Sequence, residues 1–298
     1  MSLSDSYNTI IQGHYIVNEI TGEIIDKLPV AGPPGREEAG PASGGLSSCH
    51  NTRKSEKKGV IKVYTDGSLI EVSKNRLSAK VNEDMPTRGK VTGFSKKSRL
   101  RFLKRMGQVN KSELPLFVTL TYPAEFPNDK TIYKADLEKF LKRLVYRFPK
   151  VAGFWRLEFQ KRGAPHYHLL IWGLPYSKAI QKFISYLWYM TVKSGDEKHL
   201  WAGTQVQKVR SWRGVMSYAS KYMAKEMDFG QECGRVWGYF NAGHIPWSKV
   251  LEVEISQEKV IKAMRLMRRY ARIKARDFPS LTIFINDPDQ WIRALDLI

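Results

Sequence analysis

His166 and His168 stand two residues apart in PHYHLLIW, and Glu158 and Gln160 stand two apart in the preceding FWRLEFQ. Both segments are short, apolar and aromatic, and the KRGAP between them carries Gly163 and Pro165 as turn residues. This pattern predicts two strands joined by a tight turn. Strand side chains alternate, so the two histidines share a face, and so do Glu158 and Gln160. If Gln160 lies opposite His166, Glu158 lies opposite His168, and directly paired residues point the same way. Two imidazoles and a carboxylate on one patch bind a divalent cation and leave positions open for a substrate oxygen. Gln160 is the runner-up to Glu158 for the third place. The plainer reading is a pair of surface histidines on a half-exposed strand.

A second constellation lies downstream in VMSYASKYMAKEM. Tyr218 and Tyr222 are four apart, which on a helix sets their Cβ atoms about 5–6 Å from each other on one side. Lys221 and Lys225 fall on the same arc, so each tyrosine has a lysine three residues on. A phenol titrates near pH ~10, so forming the phenolate near neutrality costs about 4 kcal/mol. Neighbouring ammonium groups and a bound cation reduce that cost. The plainer alternative is an amphipathic helix whose tyrosines cover a sheet edge.

Certain elements must position these groups. LPLFVTLTYP (114–123) reads as a strand stopped by Pro123. Residues 131–148 show helical spacing, with Leu137, Phe140, Leu141, Leu144 and Val145 on one side. The two central strands follow, then a helix at 177–193, a strand at 204–209 and the tyrosine helix at 213–227. The order β-α-β-β-α-β plus a helix predicts an α+β fold, a ferredoxin-like (RRM-like) antiparallel sheet with helices on one face. A further strand is expected at 234–240, and a strand and a short helix end the chain.

The 298 residues carry a formal net charge of +20 and 12% aromatic residues. That combination points to a polyanion, and to single strands in particular, where bases stack on rings and phosphates meet cations. Residues 86–111 carry cations without an acid, among them Arg99, Arg101, Lys104 and Arg105, around an apolar stripe of Leu100, Phe102, Leu103 and Met106. Residues 256–276 form a second basic helix that includes Arg268, Arg269 and Arg272. Both are candidate DNA-binding surfaces. With 2 Cys in all, a disulfide framework or a four-Cys zinc site is excluded. No apolar run approaches membrane-spanning length, the N-terminus shows no secretory pattern, and a cytoplasmic location is expected. Gly89-Lys90 lacks a P-loop context, so no ATP-driven motor is visible.

Taken in order, FVTLTYP (117–123), PHYHLLIWG (165–173) and YASKYMAK (218–225) resemble the three motifs of HUH endonucleases. The branch they resemble is the two-tyrosine rolling-circle replication initiators of plasmids and single-stranded DNA phages. The resemblance covers roughly residues 95–245. It implies that His166, His168 and Glu158 bind Mg²⁺ or Mn²⁺. It implies that Tyr218 and Tyr222 attack single-stranded or melted origin DNA through a 5′-phosphotyrosyl link, and that Lys221 and Lys225 stabilise phenolate and phosphate charge. A host helicase and polymerase follow as partners, and a bacterial cytoplasm as the location. Thr119 and Thr121 of the first motif are expected beside the site with no assigned chemistry. The expected division is an N-terminal hairpin segment (1–28), a flexible linker (29–58), an accessory hairpin (59–94), the nicking domain (95–245) and a basic helical extension (246–298). Two other functions compete: a transposase of the same chemistry, and a non-catalytic single-strand-binding protein on the same sheet.

Overall fold

The structure is a computed structural model that describes residues 9–12, 15–18, 24–27, 58–74, 89–216, 227–270 and 280–284. The chain divides into two units: residues 1–7, 64–69 and 80–250, and residues 8–63, 70–79 and 251–298. In chain order, the first strands are β1 (Thr9–Gln12), β2 (Tyr15–Asn18), β3 (Ile24–Lys27), β4 (Lys58–Tyr64), β5 (Leu69–Ser73) and β6 (Gly93–Phe94). Helix α1 (Lys96–Gly107) starts at Ser95, whose hydroxyl accepts from the Ser98 N–H. Strand β7 (Leu116–Thr121) precedes α2 (Lys130–Arg147), where Asp129 caps the first turn by accepting from the Thr131 N–H at 2.8 Å. Strands β8 (Ala152–Phe159) and β9 (Pro165–Trp172) form the central hairpin. Then come α3 (Lys178–Thr191), α4 (Glu197–Ala202), β10 (Thr204–Lys208) and a helical stretch at 212–216. Strands β11 (Met227–Asp228), β12 (Trp237–Phe240) and β13 (Val250–Ser256), helix α5 (Gln257–Tyr270) and β14 (Ser280–Phe284) complete the described chain.

The first unit is built on a five-stranded sheet of order β10-β7-β9-β8-β12. Every neighbouring pair is antiparallel. The expected β-α-β-β-α-β arrangement is therefore present, with β12 added at the β8 edge. Alternation splits the strands into two faces. Val118 and Leu120 of β7, Leu157 of β8 and Tyr167 and Leu169 of β9 point one way and are buried, together with Tyr133, Leu137, Phe140 and Leu144 of α2 and Ile184 and Trp188 of α3. Burying each such side chain contributes about 1.5–3 kcal/mol. Trp188 stands edge-on to Tyr122, Phe140 and Tyr167, at 5.1, 5.8 and 6.3 Å between ring centroids. The polar atoms of this core are matched: the Tyr167 hydroxyl donates to the Tyr133 carbonyl and the Tyr122 hydroxyl to Asp136, both at 2.9 Å. With α2 and α3 on this face, the opposite face carries the histidines. On that second face α1 docks its stripe at the β8–β12 end, Phe102 meeting Trp237 at 5.3 Å and Phe154 at 6.2 Å.

Four expectations need correction. The hairpin register differs by two residues: Glu158 pairs with His166, and Arg156 pairs with His168. The turn is shorter than expected because Gln160 and Ala164 close it. The Gln160 N–H donates to the Ala164 carbonyl, leaving a three-residue loop whose Gly163 sits at φ +83°. Arg99, expected on the DNA-binding face of α1, is only 3% exposed. It lies three, four and seven residues before Phe102, Leu103 and Met106, on the stripe that packs inward. A strand, β13, opens the segment expected to be a helical extension. Finally, the pieces at 1–28, 59–94 and 246–298 do not stand apart. Their strands share one seven-stranded sheet of order β13-β4-β5-β14-β1-β2-β3, in which Ile10 pairs with Ile283. Isolated two-stranded hairpins are marginal in water, and joining them in one sheet removes that weakness. Helix α4 has no counterpart among the expected elements. The linker up to residue 57, the terminal helix and the rest of the tyrosine helix lie outside the described residues. Among the described residues no helix is long and apolar enough to cross a membrane.

Gly153 gives a test of the central ladder. A Cβ there would lie 2.2 Å from the Leu170 carbonyl oxygen of the paired strand. Backbone cannot yield as a side chain does, so Gly153→Ala is expected to cost at least about 2 kcal/mol in urea unfolding. A variant as stable as the wild type would contradict the close approach of β8 and β9.

Candidate active site

The site is a set of rows across the sheet face that points away from α2 and α3. Register sets one row as Gln205, Thr119, His168, Arg156 and Trp237, from β10, β7, β9, β8 and β12 in turn. The next holds Thr121, His166 and Glu158. The alternation read from the sequence thus brings both histidines and Glu158 together, though by a different pairing.

Each imidazole is held through Nδ1 by a threonine of β7. Thr119 Oγ1 lies 3.3 Å from His168 Nδ1, and Thr121 Oγ1 lies 3.1 Å from His166 Nδ1. A hydroxyl both donates and accepts, so these threonines serve either ring tautomer. Phe117 stacks on the His168 ring at 5.6 Å and 13°, limiting its rotation. The two imidazoles stand edge-to-face at 4.5 Å.

Glu158 is gripped from two sides. Its Oε2 accepts from His168 Nε2 at 3.2 Å, and its Oε1 lies 2.8 Å from Arg156 Nη1, an ion contact out of line for a hydrogen bond. Arg156 is 1% exposed and lies with its guanidinium carbon 4.7 Å from the Phe94 ring centroid. Burial alone would raise the Glu158 carboxyl; the His168 hydrogen bond and the Arg156 charge outweigh it and hold the group below its usual range. His166 is lowered to about 4, first by burial and then by His168. It is neutral at pH 7, the form that ligates a metal.

Among the described residues no three His, Cys, Asp or Glu side chains stand ready around one ion position, because Glu158 is closed onto His168. The donor set nevertheless fits a divalent cation. Both Nδ1 atoms are bonded to hydroxyls, which leaves the Nε2 atoms as the ligating nitrogens, and a carboxylate stands beside them. Gln160 is committed elsewhere, its Oε1 accepting from Arg162 Nε at 2.9 Å.

Several residues shape this site without having been singled out in the sequence, Arg156 among them. Arg162 donates to the carbonyls of Tyr122, Pro123 and Ala124, at 2.6, 2.7 and 3.1 Å, and ties the end of β7 to the hairpin turn. His199 Nε2 and Trp188 Nε1 both donate to the Thr121 carbonyl, at 2.7 and 2.8 Å, and so fix the threonine that holds His166. Alternation from Glu158 could have flagged Arg156; the others depend on long-range contacts. Of the expected DNA-binding cations on α1, Arg101 and Arg105 are exposed and Lys104 is half-buried. On α5, in the other unit, Arg269 is exposed and Arg268 half-buried. Tyr218, Lys221, Tyr222, Lys225 and Arg272 lie outside the described residues.

Removing one partner of a buried ion pair strands the other charge. Arg156→Met is therefore expected to cost about 3 kcal/mol in urea unfolding. A double-mutant cycle with Glu158→Gln should show non-additivity; additive effects would deny the coupling. The His166 ring gives a pH test. Its folded value lies below the unfolded one, so folding stability is unaffected above about 6.5. It falls as pH drops from there toward about 4, because only the unfolded chain takes up the proton. His166→Gln should remove that component, so the stability gap between wild type and variant should shrink on acidification. Parallel profiles would show that burial does not disfavour the protonated ring.

No curated protein matches the chain. Among solved structures there is a likeness to the N-terminal nuclease domain of non-structural protein-1 from Minute virus of mice, at 12% identity, 58% of this chain, 82% of that chain and a TM-score of 0.21. That domain is described by a unique Zn²⁺ coordination in its active-site pocket and a novel mode of DNA recognition at the origin of replication. A superposition this loose carries no argument about the site. The sequence match is confined to the segment that builds the sheet and the histidine face. Residues 115–227 match the family model of the ORF2 type of replication-associated protein, and this segment belongs to that family, in line with the HUH motifs it carries.

Proposed function

We propose that residues 95–245 form a nicking domain that initiates rolling-circle replication by cleaving and rejoining single-stranded origin DNA. The observation that carries the proposal is the pair of histidines, each held at Nδ1 by a threonine beside Glu158, within a segment of a replication-associated family. His166, His168 and Glu158 would hold a divalent cation, Mg²⁺ or Mn²⁺, whose Lewis acidity polarises a phosphate. The threonines keep the imidazoles aimed, and Arg156 fixes one oxygen of Glu158 so that the other faces the histidines.

The nucleophile in this reading is Tyr218 or Tyr222. The hydroxyl gives its proton to a base, the phenolate attacks phosphorus, and the bond from phosphorus to the 3′-oxygen breaks. That oxygen takes a proton and becomes a free 3′-OH that primes synthesis. One P–O bond forms and one breaks, so the energy stays in the phosphotyrosyl link and no nucleotide is consumed. Lys221 and Lys225 supply positive charge to the phenolate and phosphate. The second tyrosine attacks the regenerated origin, and the released 3′-OH rejoins the ends. Strand separation and synthesis are separate chemistries, so a helicase and a polymerase of a bacterial host are the partners this reaction requires.

A labelled origin-strand oligonucleotide incubated with the protein and Mn²⁺ should give a covalent protein–DNA band. His166→Ala with His168→Ala should abolish the band while leaving DNA binding largely intact, since affinity rests mainly on phosphate contacts. Tyr218→Phe and Tyr222→Phe singly should each keep some adduct, and the double variant none. An adduct formed undiminished by the histidine double variant in EDTA would defeat the metal assignment. An adduct formed by the tyrosine double variant would defeat the nucleophile assignment.

A further inference from the structure

A groove of about 1060 Å³ opens on the face of the five-stranded sheet opposite the histidines, between α2 and the edge strand β12. Nothing in the nicking chemistry uses it. Its floor is apolar, with Leu137 and Leu141 of α2, and three rings line it: Tyr146, Trp155 and Phe240. Tyr146 is 90% exposed. Gly238 of β12 lets the Trp155 indole lie against the backbone, because a Cβ there would meet the ring at 2.9 Å.

The charges around the groove are strongly one-sided. Lys130, Lys134, Lys142 and Arg235 line it, against the single acid Glu138. Lys134 reaches inward. Its ammonium lies 5.1 Å from the Trp155 ring centroid and 5.7 Å from that of Tyr133, and it donates to the Arg235 carbonyl. Burial lowers its pKa to about 8, so an arriving anion would be favoured both by charge and by relief of that desolvation. Lys142 pairs with Glu138 and Lys130 with Glu232. These are exposed pairs of small net worth, and a phosphate can replace the carboxylate in each.

We propose that this groove is a second binding site for single-stranded DNA, separate from the nicking site and reached around the β12 edge of the sheet. Cations beside aromatic rings are what a single strand requires, phosphates meeting the former and bases stacking on the latter. The Lys134 ammonium over Trp155 is the phosphate anchor, and Tyr146 and Phe240 offer the rings. Along α2 the groove runs from Lys130 to Tyr146, about 24 Å at ~1.5 Å per residue, enough for several nucleotides. A site here would retain the strand while the nicking site releases it between transfer steps. That use rests on the nicking proposal, but the binding itself does not.

The probe is a 20-nucleotide oligo(dT) carrying 5-iododeoxyuridine, used with the full chain. Irradiation of the wild type should crosslink Tyr146 or Trp155, identified by mass spectrometry. The variant Tyr146→Ala with Lys142→Glu and Arg235→Glu should lose those crosslinks and bind oligo(dT) about tenfold more weakly. Its slope of log K against log salt should be shallower by about 1.4, two phosphate contacts at ~0.7 each. Cleavage of a short oligonucleotide spanning only the nick should be unchanged. If circular dichroism shows the charge reversals to be unfolded, Lys142→Gln and Arg235→Gln replace them. No groove crosslink together with an unchanged slope overturns the proposal. So does an acidic amphipathic peptide of Glu and Leu that occupies the groove and that oligo(dT) cannot displace, which would assign the groove to a protein partner. Groove crosslinks without any covalent adduct would leave the groove standing and defeat the nicking proposal instead.

Discussion

The site depends on the register of one β-hairpin. Gly163, at φ +83°, closes a three-residue loop between β8 and β9, and that closure sets Glu158 opposite His166 and Arg156 opposite His168. Slipping the pairing by one residue would turn both histidines toward the helices and bring Tyr167 and Leu169 out of the core. The buried face therefore enforces the functional one. Tyr167, with its hydroxyl bonded to the Tyr133 carbonyl and its ring against Trp188, cannot move without breaking the packing under α2 and α3.

The neighbouring strand β7 adds aim to position. Its threonines contact both imidazoles at Nδ1, and a hydroxyl suits a ring that donates there as well as one that accepts. Glu158 accepts from His168 Nε2, so that ring carries its proton on Nε2 and accepts at Nδ1. If Nε2 instead binds a cation, Nδ1 carries the proton and donates to Thr119. The same contact serves both states, and neither requires β7 to move.

Charge is handled differently on the two faces of the sheet. On the histidine face the buried Arg156 is matched by Glu158, so the site gathers a carboxylate and two neutral rings without net repulsion among them. On the helix face the cations around α2 outnumber the acids. The overall charge of +20 is thus not spread evenly, and a basic residue's position in the helical repeat matters more than its presence in a basic run. Arg99 shows this, placed inward by its spacing from Phe102, Leu103 and Met106.

Much was legible in the sequence because it depends on short-range periodicity. Alternation placed His166, His168 and Glu158 on one face; helical spacing found α1, α2, α3 and α5; Pro123 and the Asp66-Gly67 pair marked a strand end and a turn. The order of these elements was enough to imply the five-stranded core of β7 to β10, since short connections and covered faces leave few arrangements. Tertiary structure alone decided the rest. The two-residue difference in hairpin register arises from a hydrogen bond between Gln160 and Ala164, and period-2 alternation cannot distinguish pairings that differ by two. The pairing of β1 with β14 joins opposite ends of the sequence, Ile10 with Ile283, and no local pattern encodes a partner at that distance. The grip of Arg156 on Glu158 and the anchoring of Thr121 by His199 and Trp188 likewise come from side chains brought together only when the helices close over the sheet. Alternation and helical repeat assign a residue to a face; which residue it meets there is decided by packing.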